Sequence, residues 1–318
     1  MHSARLFLPS LIILSLLPPA WGAADFDVRD STAFTRLVPN GARVTKLAGD
    51  LGFTEGPAWV PADDGFLVFS DIPNNRLHRW TAADGLGVFR EPSRNANGNT
   101  VDREGRLLTA EHSGRRISRL ERDGSVATLV DAFEGKKLNS PNDVVVKSDG
   151  TIWFTDPDYG LPNSPDRKGK VGKEQPGNYV YRFDSRAKTL TSVARDFDKP
   201  NGLVFSPDER RLYVADSGVP RHIRVFDVGS KGNLTGGSVF CRIDLGAPDG
   251  IRVDNLGNVW SSAGDGVQIF SPSGKLVGKI LTPEAPANLC FGGRDGRTLF
   301  LTARKSLYAI ETLVTAPK

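Results

Sequence analysis

Two cysteines, four histidines and one methionine are all that this 318-residue chain contains of those types. Two thiols cannot build the bridge framework of small exported domains, nor a cysteine-rich metal cluster. Charge of one sign is lacking as well. The net charge is +4 at neutral pH, a weak excess over this length, and the basic residues are scattered. The short clusters Arg115-Arg116, Lys136-Lys137 and 167–173 read as solvated loops, so no nucleic-acid partner is expected. Beyond residue 24 no run is apolar enough to cross a bilayer. The one long run, LFLPSLIILSLLPPA, follows Arg5 and precedes the small-residue stretch AWGAA. That order marks residues 1–24 as a secretory signal peptide, cut between Gly22 and Asp25, with an apolar core short for a membrane span. An uncleaved anchor is the alternative. Residues 25–318 are therefore expected to form one exported domain, periplasmic or secreted and free of the membrane after cleavage. Helical periodicity is missing too, since no stretch sustains it for three turns.

What the chain has is a repeat. Six stretches read TEGPAWVPADDGFLVFSD, NANGNTVDREGRLLTAEH, SPNDVVVKSDGTIWFTDP, KPNGLVFSPDERRLYVADS, APDGIRVDNLGNVWSSAG and APANLCFGGRDGRTLFLTA. Each holds a polar anchor, a short apolar strand, a turn and a second apolar strand. The anchors are Glu55, Asn97, Asn142, Asn201, Asp249 and Asn288, spaced 39 to 59 residues apart. Periods near 40 to 50 residues built from short strands indicate propeller blades. Two further strands follow in each unit, joined by turns such as Asp123-Gly124. The expected fold is all-β, a six-bladed β-propeller of four-stranded antiparallel blades. The last repeat runs out of chain before its outer strand, and RVTKLAGDL lies unattached upstream of Glu55. Pairing the two closes the ring and removes an open sheet edge. Residues 25–42 then serve as a lead-in. Cys241 falls on an outer strand and Cys290 on an inner strand of another blade, too far apart for a disulfide.

Taken singly, Pro-Asn-Gly and Pro-Asp-Gly are ordinary turn sequences. Together the six anchors place a side-chain oxygen at one inward register in every blade, and Glu55 is a poor turn former. An axis lined by Asn, Asp and Glu with nothing to bind would concentrate unpaired polar groups. Two carboxylates and several amide oxygens, with no histidine or cysteine among them, suit a hard divalent cation. Ca²⁺ is the first candidate, with Mg²⁺, Mn²⁺ or Zn²⁺ behind it. The second strands end at Asp71, Glu111-His112, Asp156 and Asp216, on the anchor side. The longest loop there, 157–178, reads either as a lid or as a surface loop, with Tyr159 the part placed to reach a substrate.

EGPAW, SPNDV, KPNGL, PDGI and FTDPDYG resemble the gluconolactonase and senescence-marker-protein (regucalcin) family, from about residue 45 to the end of the chain. The resemblance implies a six-bladed propeller with one divalent metal in its central tunnel. The metal ligands it implies are Glu55, Asn142, Asn201 and Asp249. Asn97 and Asn288 share the register without that role, and Asn97, His112, Arg116, Asn142 and Tyr159 are the expected substrate contacts. The activity it implies is hydrolysis of a sugar-acid lactone such as D-glucono-1,5-lactone. A hard ion still leaves a base to be supplied, and Asp249, touching the metal, is the candidate to activate water. Two other readings use the same fold: an aryl-ester or phosphotriester hydrolase with the same site, and a binding propeller whose ion is structural.

Overall fold

Short β-prone runs separated by Asp-Gly turns fold as hairpins because the Asp side chain and a left-handed Gly close the turn together. At Asp123-Gly124 the Asp123 carboxylate accepts from the Ser125 amide at 2.9 Å, and Gly124 sits at φ +83°. A computed structural model describes residues 25–62, 64–161 and 172–317. In it these hairpins stack into six antiparallel sheets whose innermost strands each contact the next around a closed ring. Residues 1–24, on which the signal-peptide expectation falls, and 162–171 of the long loop lie outside the described residues.

Blade 1 comprises Thr54–Val60, Phe66–Asp71, Arg76–Thr81 and Gly85–Arg90, and blade 2 Ala96–Val101, Leu107–Glu111, Arg116–Leu120 and Val126–Val130. Blade 3 comprises Val144–Val146, Ile152–Asp156, Asn178–Asp184 and Thr189–Phe197, and blade 4 Pro200–Phe205, Arg211–Asp216, His222–Val228 and Leu234–Arg242. Blade 5 is built on Ile251–Val253, Val259–Ala263, Gly266–Phe270 and Leu276–Leu281. Blade 6 uses Pro286–Gly292, Thr298–Ala303 and Ser306–Glu311, and takes Thr45–Ala48 as its outer strand, with Thr45 opposite Ala309. The ring is thus closed by the N-terminal strand that the unattached RVTKLAGDL run predicts.

The N-terminal segment does more than lead in. Phe26–Val28 pairs with Leu276–Leu281, Phe26 opposite Ile280, and gives blade 5 a fifth strand. The chain then turns through a four-residue helix, Ser31–Phe34, capped by Asp30, whose Oδ1 accepts from the Ala33 amide. Phe34, Leu37 and Val38 are fully or almost fully buried in the seam between blades 5 and 6, beside Ile280 and Ile310. Three residues of strand are too few to read as alternation, so the sequence carried no sign of this strap.

Between blades the core is apolar and aromatic. Trp153 packs edge-on to Phe205 across blades 3 and 4, and Trp260 edge-on to Phe291 across blades 5 and 6. Both cysteines are free and buried, with their thiols pushed up to about 12 by burial. They act as small hydrophobes. Among the described residues no helix is long and apolar enough to cross a membrane.

Candidate active site at the propeller hub

The anchors sit where each inner strand leaves its ladder. In blades 1, 2, 4 and 6 the pairing with the second strand slips between Glu55 and Ala58, Ala96 and Asn99, Pro200 and Leu203, and Pro286 and Asn288. In blades 3 and 5 the inner strand starts only after the anchor, at Val144 and Ile251. Such bulges free the backbone and re-aim a side chain. The freed groups pair with the neighbouring blade instead. The Gly98 amide donates to the Asn142 carbonyl at 2.7 Å, Gly202 to Asp249 at 3.1 Å and Gly250 to Ala287 at 2.8 Å. Ser70 Oγ donates to the Asn97 carbonyl at 2.6 Å, and Thr155 Oγ1 to the Asn201 carbonyl at 2.8 Å. Glycine after the anchor is what allows this approach. A Cβ on Gly56, at φ +50°, would lie 2.0 Å from the Asn97 carbonyl oxygen, and one on Gly250 2.1 Å from Asn288 Oδ1.

The acidic ends of the second strands brace the same segments from behind. Asp71 accepts from the Gly52 and Phe53 amides, Asp156 from Asn139, and Asp216 from Asp198 and Lys199. Each of these amides lies two or three residues before an anchor. Burial alone would raise the Asp71 carboxyl, but the His78 ring nearby and bonds from Asn74 and those amides hold it at about 2. Glu111 works differently. It is buried and spends itself on Arg90, Arg116 and Ser118.

Five of the six anchors line one cavity of about 530 Å³ at the hub: Glu55, Asn97, Asn142, Asn201 and Asp249. Asn288, from blade 6, stands behind them and donates to Glu55 Oε2 at 3.1 Å, where the Gly56 amide also donates at 2.9 Å. His112 and Tyr159 are in the cavity wall, with Asn95 and Ser217 beside them and Phe53, Ile72 and Pro73 forming an apolar side. Asn97 Nδ2 and His112 Nε2 are 3.0 Å apart. Asn201 lies beside Asp249 and Tyr159 in the wall and lowers both, and Ser217 acts on Tyr159 in the same sense. Gly160 makes room for this, since a Cβ there would lie 2.7 Å from that of His112. Arg116 is not part of the wall. Its Nε donates to Glu111 at 2.6 Å and its Nη1 to Thr128 Oγ1 at 2.6 Å, within its own blade. A larger groove of about 740 Å³, lined by Trp59, Trp80 and Phe300, holds none of the anchors.

The hub is electrostatically unfinished. Asn97 Oδ1, Asn201 Oδ1 and Asp249 Oδ1 are buried without a hydrogen-bond partner. Glu55 is raised well above the usual carboxylate range by burial and by the Asp249 charge, and Asp249 is raised to about 7 by burial and by the Asp143 charge. Among the described residues no three His, Cys, Asp or Glu side chains cluster as a metal site. The donor set here is two carboxylates with amide oxygens, which suits a hard cation rather than zinc. Burial also raises the Tyr159 hydroxyl, assisted by Asp249, so it stays protonated and can donate.

The sequence profile of the SMP-30/Gluconolactonase/LRE-like region matches residues 53–305. The chain belongs to that family. It is similar to a gluconolactonase of Zymomonas mobilis, 34% identical over 292 residues that span 84% of this chain and 80% of the relative. A pentonolactonase of Haloferax volcanii is 28% identical over 271 residues, 82% of this chain and 84% of that protein. The solved structure of a gluconolactonase from Xanthomonas campestris superposes with a TM-score of 0.86 at 35% identity, covering 92% of this chain and 96% of that one. The family that EGPAW, SPNDV, KPNGL and PDGI resemble is therefore the one to which the chain belongs.

Several hub residues escaped the repeat pattern. Asn95 and Ser217 are cavity-wall residues from loops, and Phe53 and Pro73 supply its apolar side. Asp143 occupies the position after an anchor that is Gly in four other blades, and that substitution was legible as a departure from the repeat.

Proposed function

We propose that this protein is a divalent-cation-dependent hydrolase of a sugar-acid lactone, with Ca²⁺ as the resident ion. The observation that carries the reading is the set of three buried, partnerless oxygens on Asn97, Asn201 and Asp249, facing one cavity beside the buried Glu55. Unpaired buried acceptors are costly and are retained where a ligand completes them. Glu55, Asn142, Asn201 and Asp249 would hold the cation. When bound, the ion supplies positive charge that polarises an ester carbonyl and stabilises negative charge on its oxygen. The remaining work falls to side chains. Asp249 takes the proton from the attacking water, and Asn201 orients that carboxylate. Asn97, with Nδ2 held by His112, presents Oδ1 to a sugar hydroxyl. The protonated Tyr159 donates to the ring substituents, and Phe53, Ile72 and Pro73 face the apolar side of the ring. A volume near 530 Å³ suits a ligand of six-carbon lactone size with its water.

Export through the N-terminal leader belongs to the same proposal, and places lactone hydrolysis outside the cytoplasm. The test of function is a panel. Stripped of ions, the chain is expected to lose hydrolysis of D-glucono-1,5-lactone and pentonolactones, and to regain it with added Ca²⁺, as read by acid release. Faster turnover of aryl esters or phosphotriesters would favour the ester-hydrolase reading. A melting point that depends on Ca²⁺ without any hydrolysis would leave only a binding propeller.

A further inference from the structure

Beneath the cavity floor lies a second charged pair that the lactonase reading does not use. Asp143 follows the anchor Asn142 directly, is fully buried, and points into the crowded hub, where a Cβ on Gly98 would lie 2.7 Å from its Oδ1. Its Oδ1 accepts from the Val144 amide at 2.9 Å. Its Oδ2 meets Arg252 Nη1 at 3.4 Å. Arg252 is on the inner strand of blade 5, three residues past Asp249, and its Nη1 also donates to the Ile251 carbonyl at 2.7 Å. It lines a cavity of about 580 Å³ bounded by Thr100, Val145, Val204 and Phe291, each likewise three residues past an anchor. That cavity lies along the inner strands past the anchors. The Asp143–Arg252 pair therefore joins the residue after the anchor Asn142 to the wall of this second cavity.

Glu55, Asp249 and Asp143 bring three negative charges close enough for Asp143 to be felt at both of the others. Arg252 brings a positive charge to Asp143 at 3.4 Å, and the exposed Arg304 brings a second that acts on Asp249. Buried charge that is left uncompensated is strongly destabilising, so this balance is consequential.

Resting on the cation reading of the same site, we propose that Arg252 and Asp143 are positioning residues that set the charge of the hub, and so the affinity for its single dication. Asp143 deepens the negative field beneath the ion and Arg252 limits it. The two side chains therefore have opposite effects on the ion. A pair that merely braced the tunnel would act in one direction, because removing either member would loosen the same floor.

Calorimetric titration of Ca²⁺ into the ion-stripped full chain separates these. Asp143→Asn is expected to weaken Ca²⁺ binding at least tenfold, Arg252→Met to tighten it at least tenfold, and the double variant to return within about threefold of the parent. If Arg252→Met does not fold, the comparison of Asp143→Asn with the double variant carries the same sign: removing Arg252 should raise affinity there too. Single variants that both weaken binding, or that both leave it within twofold, overturn the inference while the parent still binds one ion. A parent that takes up no dication at all overturns the cation reading itself, and this inference with it.

Discussion

Asp249→Asn is expected to lower kcat for a lactone by about a thousandfold, the contribution typical of a positioned general base, even at saturating Ca²⁺. The substitution keeps the shape of the side chain and an oxygen for the cation, and removes the basic site. Asn201 can still bond to the amide, so the wall of the cavity is preserved. What is lost is the carboxylate whose Oδ1 is buried without a partner and open to a bound water or ion. Ca²⁺ affinity should fall as well, since one negative charge is gone, but added calcium compensates that part. The comparison variant is Glu55→Gln. Glu55 is held at Oε2 by the Gly56 amide and Asn288, so its part is to carry charge for the ion. Its variant should lose ion affinity and then recover much of its turnover when calcium is raised. Steady-state kinetics across a calcium series distinguishes the two. Full turnover in Asp249→Asn would remove that residue from the role of base.

Removing the ion should make the fold sensitive to pH in a particular direction. Burial raises both Glu55 and Asp249 above their ordinary range, Asp249 to about 7. A raised folded-state pKa means that the folded chain holds protons which the unfolded chain has released. The stability so conferred is complete below about pH 4 and is lost as pH rises through 7. For Asp249 alone the interval corresponds to something on the order of 4 kcal/mol. With the cation bound the sign reverses, because the carboxylates must be ionised to hold it. The melting temperature of chelated protein should therefore fall from pH 5 to pH 8 relative to calcium-loaded protein, with the gap widening by roughly 5–10 °C. Asp71, held at about 2, contributes in the opposite sense at the acid end, but equally in both samples. Scanning calorimetry with and without chelator reads the difference. A gap that is constant across this range would mean that the two carboxylates do not carry the ion.

How far the sequence reveals this site depends on which forces left a local mark. The six anchors were legible because each is followed by the same strand and turn chemistry, and ring closure was legible because blade 6 lacks a strand that the N-terminus supplies. The bulges at the anchors were not, since a slip of register leaves alternation on either side intact. The strap of Phe26–Val28 and the seam residues Phe34, Leu37 and Val38 depend on contacts with residues about 250 positions away. Arg116 shows the opposite error. It stands close to His112 in sequence, but the buried Glu111 needs a counter-charge, and that demand turns the guanidinium along its own blade. Tyr159, at the start of the 157–178 loop, stands in the cavity wall.

Side chains from four separate blades are expected to surround one cation. Crystals soaked in Ca²⁺ or Mn²⁺, with anomalous scattering recorded for the latter, test it directly. The expected map holds one strong peak at the hub, ligated by Glu55, Asn142, Asn201 and Asp249 at oxygen distances near 2.3–2.6 Å for calcium. A map with these four side chains turned apart, or with no peak between them at saturating ion, would contradict it.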